Sequence, residues 1–225
     1  MQTNSPLPEY LQYNDYTIEL FDDQGFIDSP DDPRHYDIVY KPGIDNNRHA
    51  DSQYGIKNSS CDILVKSAIL LVQSGATRIH SDSAFVDERN LIIACGDKVF
   101  SLAIPNLALN WVTEVDWATC FSIHKYMDTY ITHGELAIAR LDRNGNILWS
   151  YGGADIFVTL YNGNAFEMHE SHIELTDFNG SKYKIDYDGQ TIDYQESNYH
   201  RQQPVTVLQP VTVLLKPAKP WWKFW

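Results

Sequence analysis

Leu141-Asp142-Arg143-Asn144-Gly145-Asn146-Ile147-Leu148-Trp149 is the stretch that decides how this sequence is read. Apolar residues flank an Asn-Gly pair, and such a pair suits a two-residue reversal because its glycine takes positive φ with no Cβ penalty. Two short antiparallel strands are expected there. A second stretch, Asp186-Tyr187-Asp188-Gly189-Gln190-Thr191-Ile192-Asp193-Tyr194, repeats the arrangement. A third, Pro105-Asn106-Leu107-Ala108-Leu109-Asn110-Trp111, repeats it with Leu107 at the glycine position. Trp111, Trp149 and Tyr194 become equivalent anchors that pack one sheet on the next, and Gly145 and Gly189 become equivalent turn residues.

Each stretch closes a longer unit. The first copy reads as strands within residues 85–96, 99–105 and 107–111; the second within 121–126, 130–134, 137–142 and 145–149; the third within 166–169, 173–177, 182–186 and 189–194. Trp149 follows Trp111 by 38 residues and Tyr194 follows Trp149 by 45, a spacing suited to units of four short strands. Short aromatic and β-branched runs such as Tyr16-Thr-Ile-Glu-Leu-Phe21 and Leu91-Ile-Ile-Ala-Cys95 carry no sustained 3.6-residue stripe, so no helix of ten residues is expected. The fold class expected is all-β: propeller-like repeats of four-stranded antiparallel units, three visible copies plus an N-terminal β/loop region. The divisions are 1–80 (N-terminal β/loop region), 81–200 (repeats) and 201–225 (a Pro-rich basic and aromatic tail).

The Asp142, Gly145, Trp149 pattern resembles the blades of quinoprotein-type β-propellers, over about residues 80–196. The resemblance implies a radial β architecture. In the quinone-dependent members it would further imply oxidation of alcohols or sugars, but this sequence lacks their length, their vicinal cysteine pair and their calcium-ligand set. Non-catalytic relatives use the same blades as protein-binding scaffolds, and fold alone does not fix function.

Seventeen Lys and Arg against thirty Asp and Glu give a net charge of −13, which disfavours nucleic acid and anionic membrane surfaces as partners. The 25 residues from Arg201 onward hold four cations and no anion, so the first 200 carry −17. That tail repeats Gln-Pro-Val-Thr-Val-Leu at 203–208 and 209–214 and ends Trp221-Trp222-Lys223-Phe224-Trp225. Trp221, Trp222, Phe224 and Trp225 are candidate partner-binding residues, because each aromatic buries on the order of 150–250 Å². Docking on the chain's own acidic body and insertion into a partner are both open, with weak membrane contact a further use of the tail. No apolar run reaches the roughly 20 residues of a membrane span. From three sparse cysteines and no signal-peptide pattern at the start, the expected setting is the cytoplasm.

Catalytic signatures are few. His133 and Glu135, with His124 on a neighbouring strand, are the candidate acid–base set. His169 and His172 are the candidate metal ligands, but residues three apart on a strand face opposite ways, so only a bend would let both hold one ion. The carboxylates Asp22, Asp23, Asp28, Asp31 and Asp32 lack EF-hand spacing and read as a solvated acidic turn rather than a calcium loop. No cofactor is expected. The leading expectation is a non-enzymatic protein-interaction module, in the manner of an acidic immunity protein that masks a basic partner. The alternative is a small-molecule- or metal-binding enzyme using the histidines and Glu135.

Overall fold

Strand alternation sets the architecture. The computed structural model describes residues 7–44, 49–75, 77–159 and 163–197. The tail, with Trp221, Trp222, Phe224 and Trp225, lies outside the described residues. Seventeen strands form four sheets, and no helix occurs among the described residues, hence none long and apolar enough to cross a membrane.

Sheet I holds β1 (Glu9–Tyr13), β2 (Tyr16–Asp22), β3 (Ile38–Tyr40), β4 (Ser52–Ser60) and β5 (Ile63–Val72) in the order β1-β2-β4-β5-β3, with β3 parallel to β5. Sheet II holds β6 (Ala84–Asp87), β7 (Asn90–Cys95), β8 (Lys98–Ala103) and β9 (Ala108–Glu114). Sheet III holds β10 (Cys120–Tyr126), β11 (Thr129–Gly134), β12 (Ala137–Leu141) and β13 (Ile147–Gly152). Sheet IV holds β14 (Phe166–Met168), β15 (Ile173–Thr176), β16 (Lys182–Ile185) and β17 (Thr191–Gln195). Sheets II to IV are antiparallel meanders and coincide with the three copies.

Sheets stack through both faces, which is why their central strands are almost continuously apolar. Along β7, Leu91, Ile93 and Cys95 face sheet I, while Ile92 and Ala94 face sheet III. Ile131 and Ile138 of sheet III then meet Ile173, Leu175 and Ile185 of sheet IV. On the outer face of sheet I, Ile69, Leu71 and Val39 of β3 are covered by Phe26 and Tyr36 from the long connection between β2 and β4. Among the described residues no core cluster joins sheet I to sheet IV, so the stack has two ends. The end at sheet IV is polar: Glu167, Glu174, Lys184 and Asp193 are successive register partners across its outer face. A polar outer face is the usual termination of stacked repeats.

The turn residues explain the blade junctions. Asp142 Oδ1 accepts the N–H groups of Asn144 (2.8 Å) and Asn146 (2.9 Å), and Asp186 Oδ1 does the same for Asp188 (2.9 Å) and Gln190 (2.8 Å). Gly145 and Gly189 sit at φ of +81° and +79°. The indole of Trp111 lies on Gly145, where an added Cβ would approach within 2.6 Å, and that of Trp149 lies on Gly189, where the approach would be 2.7 Å. Each indole N–H donates to a carbonyl two residues before its glycine, Trp111 to Arg143 and Trp149 to Tyr187, both at 2.9 Å. Leu107 also has positive φ (56°) but carries no indole above it; its side chain fills the core between sheets I and II instead. Tyr194 packs on Tyr183 of its own sheet at 5.0 Å and is 47% exposed.

Candidate functional site

The most exposed large aromatic among the described residues is Trp117, at 88%. Its position follows from Asp116, which is buried and accepts four backbone N–H groups. Oδ1 takes those of Ala118 (2.7 Å) and Thr119 (3.2 Å), and Oδ2 takes those of Leu136 (2.8 Å) and Ala137 (2.9 Å). One carboxylate thus ties the β9–β10 connection to the β11–β12 turn and leaves its neighbour pointing outward. Gly134 makes room for it, since a Cβ there would lie 2.3 Å from Asp116 Oδ2.

Trp117 borders a hollow of about 350 Å³ whose walls include Glu114, Leu136 and Ile147. Leu136 and Ile147 are 41% and 46% exposed, so the apolar rim is open to solvent. Glu114 keeps a half-exposed carboxylate at the border, paired with Lys98 at 3.0 Å. An open indole beside an apolar rim suits a Lys or Arg side chain, whose charge can meet the ring and whose stem can meet Leu136 and Ile147. Sequence reasoning did not single out Trp117. Its signal was a tryptophan off the strand pattern, in the Asp-Trp-Ala-Thr connection between two copies.

The expected acid–base set is not assembled for proton transfer. His124 and His133 both lie on the face of sheet III that meets sheet IV, with their rings stacked against Phe166 at 5.2 and 4.9 Å. Nε2 of His133 contacts the Phe157 carbonyl at 3.0 Å, and Nε2 of His124 contacts Ser122 Oγ at 2.8 Å. Burial lowers both imidazoles, that of His133 to about 4, so His133 is neutral in ordinary buffer. Glu135 engages through its backbone, and no hydrogen bond or ion pair joins its carboxylate to His133 among the described residues.

Two of the five N-terminal carboxylates, Asp23 and Asp32, are organised by Arg34. Its guanidinium holds Asp23 at 2.8 Å and Asp32 at 2.7 Å, and Tyr36 donates its hydroxyl to Asp23. Hydrogen bonds from Arg34 keep the Asp32 carboxyl well below the usual range. Asp32 is buried, so this part is a folded loop with its own counter-ion, whereas Asp28 and Asp31 are exposed as expected. Asp28 pairs separately with Lys41 at 2.8 Å.

His169 and His172 are brought together. They occupy the turn between β14 and β15, closed by the His169 N–H donating to the His172 carbonyl at 2.8 Å, and their rings stack at 4.6 Å. The strand geometry that would have separated them ends one residue earlier, at Met168. Glu174, which the sequence did not mark, has its carboxylate 3.2 Å from His172 Nε2 and 3.7 Å from His169 Nε2.

These features define the class by architecture: an all-β chain of propeller-type blades with an aromatic-acidic rim between blades II and III. No protein-family model matches the sequence. A comparison with curated proteins also gives no match. Similar solved structures include BamB from Moraxella catarrhalis, at 10% identity and TM-score 0.44 over 84% of this chain and 63% of that one. The AfRom2 CNH domain is similar at 9% identity and TM-score 0.44, over 87% and 56% of the two chains. The computationally designed Ika8 protein is similar at 7% identity and TM-score 0.46, over 84% and 48%. The chain therefore spans less than two thirds of each of these structures.

Proposed function

We propose that the chain is a non-catalytic binding module that covers a basic surface of a partner protein, with Trp117 as its anchor. The observation that carries this reading is the 88% exposed indole at a hollow walled by Leu136 and Ile147 and bordered by Glu114. A solvent-exposed tryptophan with an apolar rim is costly to leave bare and is a common energetic centre of interfaces. The charge of −17 over the first 200 residues favours encounter with a cationic partner and rejects anionic ones. Masking such a surface, as an immunity-type protein does, is the activity assigned. The proposal includes a reducing, cytoplasmic setting: Cys95 and Cys120 are buried in different core clusters, with burial raising both thiols.

The test is affinity capture from the native cell with the full chain, its Trp117→Ala variant and a form ending at residue 200, followed by titration of the captured protein. A basic partner is expected, held by the wild type and the shortened form and weakened by about tenfold or more in Trp117→Ala. Its affinity should fall as salt is raised. Unchanged binding by Trp117→Ala would remove the anchor, and loss of binding with the tail would transfer recognition to residues 201–225.

A further inference from the structure

We propose that the β14–β15 turn is a binding site for a first-row divalent transition ion such as zinc, held by His169, His172 and Glu174. This goes beyond the interaction reading and is independent of it. Ligand atoms from the three residues all lie within 4.8 Å of one another. The Nε2 of His172 is 3.2 Å and that of His169 3.7 Å from the Glu174 carboxylate. A tetrahedral zinc with bonds of about 2.0–2.1 Å separates its ligands by roughly 3.4 Å, so small side-chain rotations close the set.

A second observation points to an absent ligand. The Nε2 of His169 is shielded from solvent yet has no hydrogen-bond partner, and an unsatisfied shielded polar atom carries a cost that a metal bond would relieve. It faces both Glu174 and, at 3.9 Å, the Glu167 carboxylate, which borders the three-residue set. Glu167 and Glu174 are register partners on adjacent strands, so the backbone pairing holds them side by side. Ser171 Oγ lies 3.1 Å from His172 Nδ1 and steadies that ring, as outer contacts of ligating histidines do. Tyr187 donates its hydroxyl to the His169 carbonyl at 2.6 Å, fixing the turn from the neighbouring hairpin.

The donor set selects the metal. Two imidazoles with carboxylates suit zinc and its neighbours in the first row, whereas calcium demands six or more oxygens. Lys184 is the built-in competitor: its ammonium sits 3.5 Å from Glu174 and balances the carboxylate when no cation is bound. Metal entry therefore requires Lys184 to swing away, and its removal should strengthen binding.

Zinc chloride titrated calorimetrically into the full, tag-free chain at about pH 7.5, where free imidazole is neutral, should bind with one equivalent. His169→Gln, His172→Gln and Glu174→Gln should each weaken it at least about tenfold, His35→Gln should leave it unchanged, and Lys184→Gln should tighten it severalfold. Calcium should not compete. Nuclear magnetic resonance on the wild type guards against a variant that fails to fold: zinc should perturb the ring signals of His169 and His172 before those of the other histidines. Absence of stoichiometric binding, affinity indifferent to the three ligand substitutions, or ring shifts confined to other histidines would overturn the site.

Discussion

At the scale of single residues, the blade junctions rest on a few positions with no tolerance for an added atom. Gly145→Ala incurs two costs, a left-handed alanine of about 1–2 kcal/mol and overpacking against Trp111 of about 1–3 kcal/mol. Gly25→Ala incurs only the first, because nothing lies within 4 Å of its would-be Cβ. Urea unfolding of both variants should therefore show Gly145→Ala as the more destabilised; equal losses would mean the indole contact contributes nothing. His133 makes a second claim at this scale. Its folded-state value of about 4 lies below the unfolded value near 6.5, so acid protonates the unfolded chain first. The stability it contributes is complete above about pH 6.5 and is lost as pH falls toward 4. Unfolding measured across that window should be less acid-sensitive in His133→Gln, which keeps a donor for the Phe157 carbonyl.

At the scale of strands and turns, Trp149 is the hinge between sheets III and IV, joined to the next blade by its indole hydrogen bond and by its contact with Gly189. Trp149→Ala should cost about 3 kcal/mol. Hydrogen exchange should show the loss concentrated in β14 to β17, with β4, β5 and β7 protected as before; uniform loss would mean that the sheets unfold only together. The same strands show what the sequence made legible. Turn glycines and late aromatics marked the three meanders because their backbone and packing demands act over a few residues. β4 was hidden: it buries Ser52 and Asn58, and its polar letters imitate a loop although Ser52 donates to Ser74 O at 3.0 Å and Asn58 to Pro105 O at 2.7 Å. The parallel β3–β5 pair had no local signal either. The His169–His172 convergence depended on where β14 stops, and the Trp117 hollow draws its walls from three separated segments, so neither could be read from spacing alone.

At the scale of the whole molecule, four sheets stack in sequence order and end in a polar face on sheet IV. The binding rim we propose lies between sheets II and III, where Asp116 fixes the connection that carries Trp117. In the proposed function the net negative charge draws a cationic partner in, and the indole, Leu136 and Ile147 supply the contact that holds it. The most direct measurement of that claim is hydrogen–deuterium exchange on the full chain with and without its captured partner. The account predicts new protection in residues 114–118, 135–137 and 147–150 while the outer face of sheet IV is unchanged. Protection confined to sheet IV or to residues 201–225, with the Trp117 rim exchanging as in the free chain, would contradict it.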